Sequence, residues 1–155
     1  RPQYAPRGVR LVGVALLAPL LAAGCITAEL PPAQTGCGAD DPRIGQTAVL
    51  IAPPHCDLPL FDHDVSGTAE IVDDCTIVIH DFNYDGTALD ARVAGIVNND
   101  FMNPIMLTEN LSPTGPYRGA TLTVTLPEGV TLDDVRHIAV VCAPFRINFG
   151  DGRFE

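Results

Sequence analysis

Residues 71–90 constrain the fold more than any other part of this sequence. They contain a segment rich in Thr, Val and Ile, residues 75–82, which is typical of a β-strand. An acidic turn follows, in which the pair Asp85-Gly86 predicts a reversal of the chain, because Gly86 can adopt a positive φ. A strand that runs into a tight turn predicts a β-rich domain.

Further strands follow from the spacing of apolar residues. Residues 120–126 alternate most clearly, with Leu122, Val124 and Leu126 on one side and threonines on the other. Residues 137–144 are nearly all apolar, as in a central buried strand. The segments that we interpret as strands are residues 65–72, 75–82, 90–97, 104–108, 120–126, 137–144 and 146–149.

The predicted fold class is all-β. Only one helical turn is indicated, where Thr131 and Asp134 have the spacing of an N-cap and its acidic partner. We therefore expect an antiparallel β-sandwich or barrel-like domain of about seven short strands over residues 63–155. Residues 25–62 read as a tether and a cysteine loop, with a further strand candidate at residues 47–52.

The first 24 residues have the pattern of an export signal peptide. Arginines lie within residues 1–10, an apolar run covers residues 11–21, and the sequence LAAGC ends at Cys25. This ending resembles the lipobox of a bacterial lipoprotein, which implies lipid transfer to the Cys25 thiol and cleavage just before it. We expect a cell-envelope protein that is anchored to the membrane by lipid and faces the periplasm or the exterior.

Charge narrows the class of partner. The chain has 19 acidic residues, nine arginines and no lysine, which gives a net charge of −10. Such a charge repels nucleic acids and anionic lipid surfaces, so no nucleic-acid partner is expected. A cation is the more compatible ligand, and a solvated acidic surface is the simpler interpretation.

The sequence has five cysteines, whose state depends on the redox conditions of the compartment in which the protein works. Export leads to an oxidising compartment, so the four cysteines other than Cys25 can form disulfides, in any of three pairings. We expect Cys37 to pair with Cys56, because that bond closes a short loop in a region with little core of its own. Cys75 and Cys142 are then either a second pair that links two strands, or free thiols with a redox role.

A calcium site is a further candidate in the acidic turn. The segment that begins at Asp81 has the form D-x-N-x-D-G, which matches the first half of an EF-hand loop. A true EF-hand is excluded, because Arg92 occupies the position where a bidentate Glu is needed. A looser site remains open beside plain turn chemistry, with oxygen ligands from Asp81, Asn83, Asp85 and Asp90.

Several short motifs occur in a family-like order. They are V-S-G-T from Val65, F-N-Y-D-G from Phe82, L-P at Leu126, and C-A-P-F-R-I-N-F-G from Cys142. In this order and spacing they resemble the DM13 domain, also called the electron-transfer DM13 domain. The resemblance covers about residues 63–154, most of the chain that follows the signal.

The resemblance implies an extracellular all-β module that passes electrons. Its characteristic cysteine corresponds to Cys142, which would act as a bare thiol or as a haem ligand. Family members tend to carry aromatic residues before that cysteine and after Asp90, where this chain has Val141 and Ala91, and this difference argues against haem. Covalent c-type haem is excluded because no C-x-x-C-H occurs. No cofactor is therefore established, and non-covalent haem stays open.

Two functional hypotheses result. In the first, the protein is an envelope redox or electron-transfer module centred on Cys142, with Cys75 as its candidate partner and a redox or surface protein as its external partner. In the second, it is a non-catalytic binding module whose cysteines are structural. Neither requires the chain to be an enzyme by itself, and no G-x-S-x-G nucleophile motif occurs. The sequence also allows His80 and His137 to meet across strands as metal or haem ligands.

Overall fold

Two antiparallel β-sheets make up the fold in the computed structural model, which describes residues 37–54 and 61–155. The predicted signal peptide, Cys25 and Cys56 lie outside these residues. The strands of the described part are β1 (Thr47–Leu50), β2 (Ser66–Asp73), β3 (Thr76–Tyr84), β4 (Ala91–Ile96), β5 (Ile105–Met106), β6 (Tyr117–Thr125), β7 (His137–Cys142) and β8 (Ile147–Arg153).

The sheets are arranged as an open sandwich. The first has the order β1-β2-β3-β6 and the second the order β5-β4-β7-β8. Along one side β1 also reaches β8, because the N–H groups of Ile51 and Asp151 donate to each other's carbonyl oxygens at 2.9 and 3.1 Å. The prediction of an all-β sandwich is confirmed, and the sheets do not close into a barrel.

Alternation along the strands decides which side chains form the core. Ile77 and Ile79 of β3 are fully buried, whereas the side chain of the next residue, His80, is half exposed at 48%. From the second sheet, Ile138 and Val140 of β7 belong to the same buried cluster. Each buried side chain of this size contributes about 1.5–3 kcal/mol, so the contact between the sheets is the main source of stability.

Strand β7 is buried on its other face as well. Ala139 and Val141 point away from the sandwich core and are fully buried, because Phe101 and Met106 pack over this second cluster. The prediction that this segment is a central strand is confirmed. Its nearly continuous apolar sequence reflects coverage on both faces.

A β-bulge at Asp81 changes the phase of β3. Strict alternation would turn Phe82 and Tyr84 toward solvent, yet they are only 0% and 1% exposed. Asp81 adopts a φ of 50°, and the register with both neighbouring strands shifts there. Across the hairpin, Gly67 has a φ of 148°, and a Cβ there would lie 3.0 Å from a backbone oxygen of β3. The bulge turns the end of β3 inward.

The expected single helical turn is present. Leu132–Asp134 form a 3₁₀ turn whose start is capped, because the carboxylate of Asp134 accepts hydrogen bonds from the N–H and the hydroxyl of Thr131 at 2.9 and 3.2 Å. Within the described residues, no helix has the length and apolar character needed to cross a membrane.

The segment that precedes residue 63 contributes to the sandwich. Strand β1 pairs with β2, and its Ala48 and Leu50 are buried in the main core. The strand candidate at residues 47–52 is thus an edge strand of the first sheet, and the β fold includes residues that the sequence pattern assigned to the tether and cysteine loop.

A disulfide joins Cys37 to Cys75, with the two Cα atoms 5.6 Å apart. The predicted pairs Cys37–Cys56 and Cys75–Cys142 are therefore wrong. Cys75 lies just before the start of β3, whereas Cys142 lies by Tyr84 at the end of that strand, about 30 Å away at the usual rise per residue. A disulfide needs Cα atoms within about 7 Å, so these two cysteines cannot bond.

Hydrogen bonds fix the same connection beside the disulfide. The N–H of Asp74 donates to the carbonyl oxygen of Gly38 at 3.0 Å, and the carboxylate of Asp74 accepts from the N–H of Asp41 at 3.0 Å. The start of the described chain is thereby held against the turn between β2 and β3.

Replacing Cys37 and Cys75 together by serine should lower the free energy of unfolding by about 4 kcal/mol, because the bond closes a loop with a sequence separation of 38 residues. Urea unfolding measures this loss. The matched control is Cys56→Ser, which should leave the free energy of unfolding nearly unchanged. A Cys37–Cys56 peptide in non-reducing mass spectrometry would contradict the observed pairing.

Candidate functional site

A pocket of about 440 Å³ lies where β3 and β7 end. Its walls come from the segment before β2, the turn after β3, the end of β7 and the start of β8. Most of the wall is apolar, and the groups on it that could react or bind a ligand are a thiol and an imidazole. The lining residues are Phe61, His63, Thr87, Ala88, Leu89, Cys142, Phe145, Ile147 and Phe149.

The thiol belongs to Cys142, which is free and only 4% exposed. Cys142 closes β7, where it pairs with Ala91 of β4 on one side and Ile147 of β8 on the other. Its carbonyl oxygen accepts a hydrogen bond from the N–H of Arg146 at 2.7 Å, which forms the tight turn into β8. The thiol is therefore fixed on the wall by strand pairing on both sides.

The imidazole belongs to His63, and a carboxylate orients it. Its Nδ1 lies 3.1 Å from both carboxylate oxygens of Asp85 and 3.1 Å from the hydroxyl oxygen of Thr87. A carboxylate only accepts hydrogen bonds, so Nδ1 carries a proton and donates a hydrogen bond to Asp85. In the neutral imidazole this tautomer leaves Nε2 with a lone pair, as in histidines that bind metals or accept protons.

Aromatic side chains hold the imidazole ring in place. The ring of His63 meets that of Phe149 edge-on at a centroid distance of 4.3 Å, and lies 6.2 Å from the ring of Tyr84. Packing and the hydrogen bond to Asp85 together restrict its rotation, which is what an orienting second partner does for a functional histidine.

Asp85 stays ionised at a lower pH than an ordinary aspartate does. Burial alone would raise the pKa of this carboxyl group, but hydrogen bonds from the N–H and hydroxyl of Thr87, at 2.9 and 2.8 Å, and from His63 favour the charged form more. The net effect lowers the pKa of Asp85 from 3.8. A permanent negative charge thus faces the imidazole at neutral pH.

Tyr84 lies beside His63 as a buried, neutral phenol. Burial raises its pKa above 10.0, even though its oxygen shares a hydrogen bond of 2.8 Å with the hydroxyl of Ser112 and accepts one of 3.1 Å from the N–H of Ala88. The neighbouring groups Asp85 and Cys142 also disfavour its ionisation. Tyr84 therefore acts as a fixed hydrogen-bonding group.

Comparison with known proteins agrees with the motifs at this site. A family model described as "Electron transfer DM13" matches residues 59–154. The chain belongs to the DM13 family. That region contains both His63 and Cys142, so the pocket lies within the DM13 domain.

Two curated relatives come from Drosophila melanogaster. "Protein Skeletor, isoforms B/C" and "Protein Skeletor, isoforms D/E" are each 39% identical over 100 residues, or 61% of this chain. The matched region covers only 13% and 7% of those proteins, so the similarity is confined to one module of much longer chains. No solved structure matches the chain significantly.

The DM13 domain brings one of the two redox candidates to the pocket. Cys142 lines it as a free thiol, whereas Cys75 is bonded to Cys37 at the other end of β3 and takes no part. His80 and His137 do not meet. His80 is half exposed on the first sheet and contacts the carboxylate of Glu70 at 3.3 Å, whereas His137 lies on the second sheet against Phe101.

The four calcium candidates are engaged separately. The carboxylate of Asp85 binds His63, and that of Asp90 forms an ion pair with Arg92 at 2.8 Å. The side chain of Asn83 accepts a hydrogen bond from a backbone N–H of β6 at 2.9 Å. The amide of Asn83 also donates to the carbonyl oxygen of the fourth candidate, Asp81, at 2.9 Å. In the described part of the chain, no contact brings the oxygens of all four residues into one cluster.

One trio in the described ranges has spacing compatible with a metal ion, namely Cys37, Asp73 and Cys75. Its two sulfur atoms are bonded to each other, so they offer no thiolate to a metal. The carboxylate of Asp73 accepts a hydrogen bond from the N–H of Cys75 at 2.9 Å, which accounts for its position in the turn.

Sequence reasoning missed the role of His63, which lies 22 positions before Asp85. The signal that could have found it is the register of the hairpin. Ser66 pairs with Asn83, and the next contact along the hairpin is the hydrogen bond from the N–H of Asp85 to the carbonyl oxygen of His63 at 3.0 Å. Continuing the β2–β3 pairing beyond Asn83, into the acidic turn, therefore places the two side chains together.

Asp85→Asn should destabilise the domain at neutral pH. Because folding lowers the pKa of Asp85, its charged form contributes stability above the unfolded pKa of about 3.9, and this contribution is lost as the pH falls through the lower folded value. We expect the wild type to exceed the variant by about 1 kcal/mol at pH 7, with a gap that narrows in acid. Urea unfolding at several pH values measures it.

The control is Glu128→Gln, which removes an exposed carboxylate from the turn after β6. It should cost much less stability at pH 7. A gap between Asp85→Asn and the wild type that stays constant from neutral to strongly acidic pH would contradict the role given to the charge.

Proposed function

We propose that this DM13 domain is a redox or electron-transfer module whose reactive group is the thiol of Cys142. One observation carries the proposal: Cys142, which corresponds to the characteristic cysteine of the family, is a free thiol on the wall of a pocket. The other cysteines of the described residues are bonded to each other at the opposite end of β3.

A thiol–disulfide exchange fits this arrangement. The Cys142 sulfur attacks one sulfur of an incoming disulfide, a new S–S bond forms, and the second sulfur leaves as a thiol with the proton that Cys142 gives up. Cys142 is oxidised to a mixed disulfide and the incoming disulfide is reduced. His63 shares the pocket, and the neutral form of its imidazole has an Nε2 lone pair, the kind of group that accepts such a proton.

Burial sets the size of the reactant. With 4% of Cys142 exposed, a reactant must enter the pocket to reach the sulfur. An envelope redox or surface protein could do so with a narrow protruding segment, and a small disulfide could do so directly. The net charge of −10 continues to argue against a nucleic-acid partner.

Haem is the cofactor that the family resemblance implies, and the donor groups fit it in kind. A cysteine sulfur and a histidine whose Nδ1 is held by a carboxylate are both haem-iron ligands, and Cys142 and His63 supply them on a mostly apolar wall. Either residue would be a candidate ligand of the iron, and bound haem would supply one-electron transfer.

A second candidate function is ligand binding without redox chemistry. It is favoured by the pocket rim, where Leu89 and Phe145 are 71% and 65% exposed. Large apolar side chains held in solvent at the mouth of an apolar pocket are typical of a docking site for an apolar ligand or a partner protein. Cys142 would then be a small buried side chain that fills the wall.

Oxidised glutathione distinguishes the two functions. Incubated with the native full chain, it should add one glutathione to Cys142, and dithiothreitol should remove it. Peptide mass spectrometry assigns the adduct and separates it from any at Cys25 or Cys56. Cys142→Ser is the control and should lose that adduct alone. Reaction at Cys142 only after unfolding would support the binding module and contradict the thiol mechanism.

Titration with haem adds a spectroscopic measurement to the same experiment. An absorption band that shifts on binding and is lost in both Cys142→Ser and His63→Ala would support the haem-dependent form of electron transfer. A spectrum identical to that of free haem would remove the cofactor and leave the thiol mechanism untouched.

We also propose that lipid on Cys25 anchors the domain at the cell envelope, facing the periplasm or the exterior. The basic start, the apolar run and the LAAGC sequence support this proposal. In a bacterial host, Cys25→Ser should shift the protein from the membrane fraction to the soluble fraction, and Cys56→Ser should not. Membrane association that survives Cys25→Ser would refute the anchor.

A further inference from the structure

We infer that the DM13 domain has a second site, which binds a small oxyanion of the phosphate or sulfate class, at the opposite end of β7 from Cys142. A pocket of about 220 Å³ lies there. It is lined by Asn98, Asn99, Arg136, His137 and Arg153. This inference does not depend on the proposed redox function.

The second sheet brings these residues together at one end. The strand register places Ile96 at the end of β4 beside His137 at the start of β7, and His137 beside Arg153 at the end of β8. Asn98 and Asn99 follow β4 in a turn with φ values of 51° and 60°. The pocket is thus built on the ends of three adjacent strands, with little freedom in the spacing of its backbone.

The charge of this pocket is opposite to that of the protein. The chain has 19 acidic residues against nine arginines, yet the lining holds two arginines and a histidine with no carboxylate. Among the described residues Arg153 forms no ion pair. Arg136 reaches the carboxylate of Asp133 at 3.5 Å, but these side chains are 60% and 81% exposed, so the pair is weak and leaves the guanidinium available.

The histidine of the pocket is held in place by its neighbours. Nδ1 of His137 is buried and faces the carboxylate of Asp151 at 3.8 Å, which is within ion-pair range but too long for a hydrogen bond. The ring itself is held edge-on against Phe101 at a centroid distance of 6.1 Å. The ring is therefore fixed on the pocket wall, and the donors that an oxyanion would meet are the two arginines and the two asparagine amides.

The donor geometry selects the ligand class. Guanidinium groups offer paired N–H donors that match the oxygens of phosphate and sulfate, and the amides of Asn98 and Asn99 add neutral donors. The volume is below that of typical sites for drug-sized ligands, which suits a single oxyanion group. A monocarboxylate has less charge and fewer oxygens, so it should bind more weakly.

Titration of the full chain with inorganic phosphate tests the site, with sulfate and acetate as parallel probes at constant ionic strength. We follow the ¹H–¹⁵N resonances of the lining residues, which should shift and saturate with phosphate or sulfate before acetate. Arg153→Ala should weaken binding at least tenfold, about the worth of one charged hydrogen bond. Arg118→Ala removes an exposed arginine from β6 of the other sheet and should change nothing.

Each outcome decides the inference. Tighter phosphate or tighter sulfate identifies the preferred oxyanion, and both support the site. Saturation absent at tens of millimolar, or equal weakening by Arg153→Ala and Arg118→Ala, would overturn it. Arg136→Ala provides a second variant, and because both pocket arginines are exposed, urea unfolding can verify that each variant remains folded.

Discussion

Burial of β7 on both faces is the constraint on which the rest of the structure depends. Its alternate side chains pack into the core between the sheets, and the remaining ones lie beneath the loop that follows β4. Six consecutive residues therefore cannot shift register without exposing apolar surface or burying a polar group. The two ends of this fixed strand, about 17 Å apart, carry His137 and Cys142, and each end forms part of one pocket.

The strands could be predicted from the sequence because their signal is local. Alternation at residues 120–126 and the apolar run at residues 137–144 each report burial of the strand itself, and the structure has strands at both places. The bulge at Asp81 was hidden, since it depends on the match between three strands and on the space that Gly67 leaves free. Local pattern thus gives the elements, and strand pairing adds their phase.

The candidate site was predicted in part. Cys142 was identified through the family motif, but the motif carries no information on which cysteines meet. The preference for Cys37–Cys56 used only loop length, whereas the observed partner of Cys37 is set by a turn that folds back over the start of the chain. The contact between His63 and Asp85 is likewise set by the register of the hairpin, which the spacing of the two residues in the sequence does not show.

Net charge averages over local differences in how charge is distributed. A charge of −10 suggests a cation as the compatible partner, and it describes the average surface correctly. Over a few ångströms the strand ends matter more, because they place Arg136, His137 and Arg153 together without a carboxylate in the lining. The proposed oxyanion site depends on this local arrangement rather than on the average charge of the chain.

The double burial of β7 also sorts the molecule by how its amides exchange with solvent deuterium. The N–H groups of this strand are bonded between β4 and β8 and are shielded above and below, so they exchange only when the two sheets separate. Exposed residues at the pocket rims, such as Leu89 and Asn98, can exchange through local opening. Each pocket thus has two parts. Its wall on β7 persists as long as the whole fold does, whereas its rim can open while the fold stays intact.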